Sequence, residues 1–396
     1  MNPLPRLLVC LPLLFHPGLL RAQEASTPAQ PDSAATGQAG TPEAEAGAAA
    51  APAFFREAWR TPLPERVVAP PLLAGGRILV RTPGREILLF DRTGRLRGGR
   101  WLPETVSGKP LAVQADARAL TLVSPTDGLR RFDLAQRTLT TLRGGAVTAA
   151  VLEEGWAYLA GPDGRVAAVA LADGQTRWAH QSPTPAPHRL ALAAPDLLFV
   201  SGGDGTLETL AREDGAARGT LPLSSPLASP VGGTDGTWVF GTADGAVQQL
   251  RRTGRRVRRG WRITTGAVTA VRPLVQPDLI GFAPRTNDLI AVSVRRGFQT
   301  WKTPLPGRVA VGGLALVAGW IVVVPEAGEA VHTFDPLTGQ AGDTYALEED
   351  FLSAPPRFDA GGRRLYLVTY HRRLIALDLG VGPAASQKVP AAPAPE

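Results

Sequence analysis

A signature that returns about every 40 residues constrains this chain more than any other feature, because a period of that size makes each copy one supersecondary unit packed against its neighbours. The clearest pair is WRTPLPERV starting at Trp59 and WKTPLPGRV starting at Trp301. A second element reads strand, tight turn, strand, most completely over residues 164–178 and again over 287–301. Taking the turn residue as a register mark gives Gly94, Arg137, Gly174, Gly215, Gly254, Gly297, Gly339 and Gly382. Arg137 is the one mark that is not glycine. Its turn is expected to be less tight or differently shaped, since glycine alone takes positive φ freely.

Each mark is preceded by an apolar run: 78–80, 120–123, 156–159, 197–200, 237–240, 279–282, 320–324 and 365–368. Runs of this length, rich in Val, Ile, Leu and aromatics and bounded by Gly, Asp and Pro, are buried strands. The 44 Gly and 37 Pro of the 396 residues supply the turns that many short strands need. A unit of this size holds four strands, which is one propeller blade. A stacked solenoid would need polar caps at its ends. Here the last unit lacks a fourth strand, whereas residues 54–64 supply a strand with no unit before it. That N-terminal strand completes the last blade, and closure removes the two free sheet edges of an open array. The expected fold is all-β, an eight-bladed β-propeller of four-stranded antiparallel blades over residues 54–382, ring closed by the N-terminal strand.

The flanks read differently. Residues 1–22 carry Arg6, an apolar middle from Leu7 to Phe15 and a small-residue end at Ala22, the pattern of a secretory signal peptide. Residues 23–53 are an Ala/Pro-rich tether, expected to be disordered because they hold almost nothing that buries a core. Residues 383–396 form a similar tail. The single cysteine, Cys10, lies inside the signal segment, so the mature chain has no disulfide, thiolate metal site or cysteine nucleophile. Leu8-Val9 before Cys10 and the apolar run beyond it do not match a lipoprotein signal.

The copy GRVAAVALADGQTRW ending at Trp178 resembles the tryptophan-docking repeat of the pyrroloquinoline-quinone-type propellers, and the resemblance spans the whole folded region. It implies that repeat tryptophans pack between neighbouring blades. Trp178 and Trp301 stand at that position, and Trp101 and Trp261 stand three residues later in two copies that match each other. The family contains quinone-dependent alcohol and sugar dehydrogenases and cofactor-free scaffolds such as the BamB-like subunits of outer-membrane β-barrel assembly. The enzymes of this resemblance stack the quinone between a tryptophan and a disulfide of adjacent cysteines and hold a calcium with carboxylates and amides. A mature chain without cysteine favours the other class. The expectation is a non-enzymatic, cofactor-free and metal-free monomer, secreted across the inner membrane to the periplasm. There it binds a protein partner, in the BamB-like case the outer-membrane assembly machinery. The alternative is a dehydrogenase-like protein binding quinone and calcium. For it Asp335 and Asp378 are the carboxylates to consider, although repeated turn positions read more simply as caps of the turn backbone.

One stretch stands apart from the repeat. Arg251, Arg252, Arg255, Arg256, Arg258, Arg259 and Arg262 fall within twelve residues around the Gly254 turn, in a chain of formal net charge +7. They are expected on an outer hairpin of the fifth blade, where they attract an anionic lipid or acidic surface or serve only as a charged edge that discourages sheet-to-sheet pairing. Secretion and the lack of any RNA-binding motif argue against nucleic acid. His16, His180, His188, His332 and His371 show no metal-ligand spacing.

Overall fold

The structure, a computed structural model, describes residues 53–380 except 85, 104–109, 154, 185–186, 195, 235 and 255. The predicted signal segment, all of the predicted tether but Ala53, the predicted tail, Gly382 and Arg255 lie outside the described residues.

Eight four-stranded antiparallel sheets follow one another along the chain. Blade 1 is Leu72–Ala74, Arg77–Arg81, Glu86–Asp91 and Leu96–Trp101, in spatial as in chain order. Blades 2 to 7 repeat that meander. The first strands of neighbouring blades touch, which makes them the innermost strands of the ring. All eight apolar runs of the sequence fall in second strands, and these are buried on both faces because each blade is sandwiched between two others. The cores lie between blades: Ile87 and Leu89 of blade 1 pack with Leu120, Leu122 and Phe132 of blade 2.

Blade 8 is assembled from both ends of the folded region. Its inner three strands are Arg357–Phe358, Arg364–Val368 and Arg373–Leu379, and its outermost strand is Phe55–Pro62. Phe55 pairs with Leu379 and Pro62 with Arg373. Phe54 and Phe55 anchor this strand in a cluster with Val317, Leu347, Leu352 and Leu379. The eighth blade therefore needs no hairpin after its third strand.

The expectation for Arg137 is overturned. Its φ of 58° matches the 76° of Gly174 and the 72° of Gly215, and its amide donates to Asp133 O at 2.9 Å as Gly174 donates to Ala170 O at 2.9 Å. The Asp133 carboxylate accepts from the amides of Ala135 and Gln136, at 2.8 and 2.7 Å, and that capping offsets the left-handed strain of an L-residue.

At the seam between blades 7 and 8, the Tyr345 hydroxyl donates to Glu57 and Arg60 grips the same carboxylate at 2.8 and 3.1 Å. Burial works against the Glu57 charge, but the Arg60 and Tyr345 hydrogen bonds outweigh it and hold this carboxyl below its ordinary value. Burial and the bond to Glu57 push Tyr345 up to about 12. The signs are opposite. The depressed Glu57 contributes stability above its ordinary 4.5 that is lost as pH falls through the lower folded value. The raised Tyr345 contributes stability below its ordinary 10.0 that is lost as pH rises through about 12. Comparing wild type with Tyr345→Phe in thermal melts across pH should therefore give a gap that is widest between these limits and shrinks at both ends. A gap independent of pH would show that the network is not what joins these blades.

Candidate functional site

The blade seams explain which tryptophans matter. Trp178 lies in the outermost strand of blade 3, Thr176–Gln181, and its indole Nε1 donates to Arg212 O of blade 4 at 2.8 Å. Trp261 donates to Val294 O at 2.9 Å and Trp301 to Pro336 O at 2.9 Å. Trp59, on the closing strand, does the same to Arg92 O at 2.8 Å. Each ring covers a turn mark of the next blade: a Cβ added to Gly94, Gly215 or Gly339 would sit 2.5 Å from Cε3 of Trp59, Trp178 or Trp301. Glycine at these marks thus serves both the left-handed turn and the ring above it. Thr61 and Thr303, two residues after their tryptophans, add hydroxyl bonds to Gly94 O and Gly339 O at 2.8 and 2.7 Å.

Trp101 does not dock. It pairs with Glu86 at the far end of its strand and is 67% exposed, while Gly98 fills the docking register opposite Leu89. Trp261 reaches the seam because the fifth-blade hairpin is longer. Its strands Ala246–Thr253 and Arg256–Thr264 have 8 and 9 residues against 6 and 6 in blade 1. Counting from the turn glycine cannot register two hairpins of unequal length. At the seam after Trp101 an arginine takes over: Arg100 Nε donates to Leu134 O at 2.8 Å, and one blade on Arg131 reaches Leu171 O at 3.1 Å. Trp59 was legible in the Trp59/Trp301 pair itself.

Of the other singled-out residues, Asp335 caps its turn, accepting from the amides of Leu337 and Thr338 at 2.7 and 2.9 Å. Asp378 is not a turn residue. It lies in the third strand of blade 8, ion-paired with Arg56 at 3.0 Å and Arg364 at 2.6 Å. His180 bonds the buried Glu208 at 2.8 Å, and Ser182 donates to the other carboxylate oxygen at 2.7 Å, a clasp between blades 3 and 4 that the sequence did not announce. Ser182 meets the carboxylate rather than the imidazole, so the three do not form a nucleophile and its base. Among the described residues no group of three metal-ligating side chains converges.

The arginine stretch divides. Arg251 donates to Val294 O and Arg295 O at 2.9 and 2.8 Å, Arg252 pairs with Asp196, and Arg262 pairs with Asp244. These three hold blade 5 together or to its neighbours. Arg256, Arg258 and Arg259 are exposed, and their side chains have no hydrogen bond or ion pair among the described residues.

A groove on one face of the ring was not anticipated. This loop face carries the links between second and third strands and the links from each blade to the next. Between blades 7, 8 and 1 it opens a cavity of about 410 Å³ lined by Arg66, Val68, Val311, Phe351, Leu352 and Tyr370. Val311 is 58% and Val68 57% exposed. Val311 stands out because the first strand of blade 7, Val309–Val317, loses register between Val309 and Leu314, where Gly312 takes a φ of 75°. Phe351 stacks on Tyr370 with centroids 4.5 Å apart, and the Arg66 guanidinium lies 4.6 Å over the Tyr370 ring. Behind them the buried Asp350 fixes both loops, accepting from the amides of Phe351 and His371 at 2.9 and 3.0 Å. Burial opposes the Asp350 charge, yet these bonds and one from Thr369 hold its carboxyl below the usual range. An apolar floor with a few placed polar groups suits a protein side chain or loop.

Residues 99–191 and 184–393 match the family model described as outer membrane protein assembly factor BamB. The chain belongs to this family. BamB from Moraxella catarrhalis superposes with a TM-score of 0.59 at 12% identity, covering 82% of this chain and 100% of that one. The computationally designed Ika8 protein gives 0.63 at 14% identity, over 80% of this chain and 97% of that one. The C-terminal WD40 domain of Sif2 gives 0.61 at 9% identity, over 83% and 99%. At such identities the likeness is one of fold. No curated protein sequence matches the chain.

Proposed function

We propose that this BamB-family chain is a non-catalytic extracytoplasmic scaffold that engages an outer-membrane β-barrel assembly partner through the loop-face groove between blades 7, 8 and 1. The groove carries this reading: exposed Val68, Val311 and Tyr370 gather on one site of the loop face. Exposed apolar clusters rimmed by polar groups mark interaction sites. A rigid ring also spares the partner the cost of ordering the surface it meets. Periplasmic residence and a cofactor-free state belong to the same reading.

The test is reciprocal co-purification of the tagged chain with a barrel-assembly subunit from envelope extract, using wild type and the pair Val311→Asp and Tyr370→Ser. Loss of the subunit at an unchanged melting temperature supports the groove. Equal recovery by the variant moves the contact elsewhere, and no recovery by wild type sinks the assembly role. Incubation with pyrroloquinoline quinone and calcium should give no dye-linked oxidation of alcohols or sugars. Turnover would reverse the non-enzymatic assignment.

A further inference from the structure

The opposite face of the ring carries the hairpin turns between third and outermost strands. In blades 1, 2, 3, 4 and 7 these turns each hold an aspartate, Asp91, Asp133, Asp173, Asp214 and Asp335, whose carboxylate accepts from the turn's own amides. Blades 5 and 6 break that rule together. No Asp or Glu occurs in residues 249–264 or 293–300, while both segments are rich in arginine.

The two turns are physically joined. Arg251 reaches from the blade 5 hairpin to the Val294 and Arg295 carbonyls of the blade 6 turn. Arg258 pairs directly opposite Arg251, and Arg256 opposite Thr253, two residues from Arg251. Strand alternation therefore puts Arg256 and Arg258 on the hairpin face turned toward blade 6. There they neighbour Arg295 and Arg296, both exposed. Phe298, just past the same turn, is 68% exposed. The extra length of the blade 5 strands carries Arg256 and Arg258 beyond the turns of blades with ordinary hairpins.

We infer that Arg256, Arg258, Arg295, Arg296 and Phe298 form a ledge that binds an anionic lipid bilayer surface. The arginines are spread along a rim rather than gathered around a pocket. That suits a plane of headgroup phosphates, each guanidinium taking a separate one. An exposed aromatic ring beside the cations finds its place at the boundary between headgroups and acyl chains. Because a third strand separates this turn from the loop-face links, a chain resting on its ledge presents the groove away from the membrane.

The experiment is co-sedimentation with vesicles of phosphatidylcholine alone and of phosphatidylcholine mixed with phosphatidylglycerol. Binding is expected only to the mixed vesicles, with its electrostatic part released by salt. Arg256→Gln, Arg258→Gln, Arg295→Gln and Arg296→Gln combined should lower the partition coefficient by at least about a hundredfold, since each surface arginine is worth roughly fivefold. The melting temperature should hold, because none of the four side chains has a hydrogen bond or ion pair among the described residues. Phe298→Ser should remove the part of binding that survives salt. Failure to bind mixed vesicles, or equal binding by the fourfold variant, overturns the inference. So does binding to poly-glutamate with none to vesicles, which would make the ledge a site for an acidic protein.

Discussion

Trp178→Ala should cost ~3–5 kcal/mol of folding stability in denaturant titration, whereas Trp101→Ala should cost less than about 0.5 kcal/mol. The two residues are the same type in the outermost strands of their blades, so composition and propensity predict no difference. Trp178 is 7% exposed and packs with Tyr158, Ala168, Leu198 and Leu210 of two blades. Removing it opens a cavity at the seam, strips the Arg212 carbonyl of its donor and uncovers Gly215. It also removes a neighbour of Tyr158, whose ring centroid lies 6.0 Å from that of Trp178 and 5.5 Å from the Arg212 guanidinium. Trp101 leaves only water behind. Equal costs for the two would mean that the docked indoles do not hold the seams.

That contrast marks where reading the sequence stops. Buried second strands, turn glycines and the closing strand are legible because each is a local pattern: apolar runs, left-handed positions and an unmatched strand at one end. The seam register is not local. It depends on hairpin length, which moved Trp261 into a docking place and left Trp101 outside one. Arg137 shows a different limit, since a neighbouring carboxylate can do for a turn what glycine usually does. The groove lies further still from sequence signals. Arg66 follows the closing strand, Val311 lies in blade 7 and Tyr370 in blade 8, and only ring closure brings the first beside the other two. The arginine stretch was visible as charge, but the division between Arg251, which joins two blades, and Arg258, which faces solvent, needed the pairing register.

The closing strand carries the second large effect. Deleting the chain through Pro62 should abolish cooperative folding of the ring, a loss on the order of the entire stability of a typical domain, ~5–15 kcal/mol. The strand supplies Phe54 and Phe55 to the core between blades 7 and 8, and Trp59 to the seam with blade 1. It also covers the edge of Arg373–Leu379 along its length, from Leu379 opposite Phe55 to Arg373 opposite Pro62. Without it, blade 8 keeps three strands with an apolar, unpaired edge, which is a template for association with a second chain. The truncated protein is therefore expected in large species on size exclusion, with a broad melt. A peptide of residues 53–64 added in excess should restore a monomeric elution and a single sharp transition, because blade 8 lacks only that strand. The same peptide with Trp59→Ala and Phe55→Ala should fail, since the backbone pairing alone would be left to hold it. If the truncated ring melts as sharply as the full chain, closure by this strand is dispensable, and the ring is held instead by its inter-blade cores.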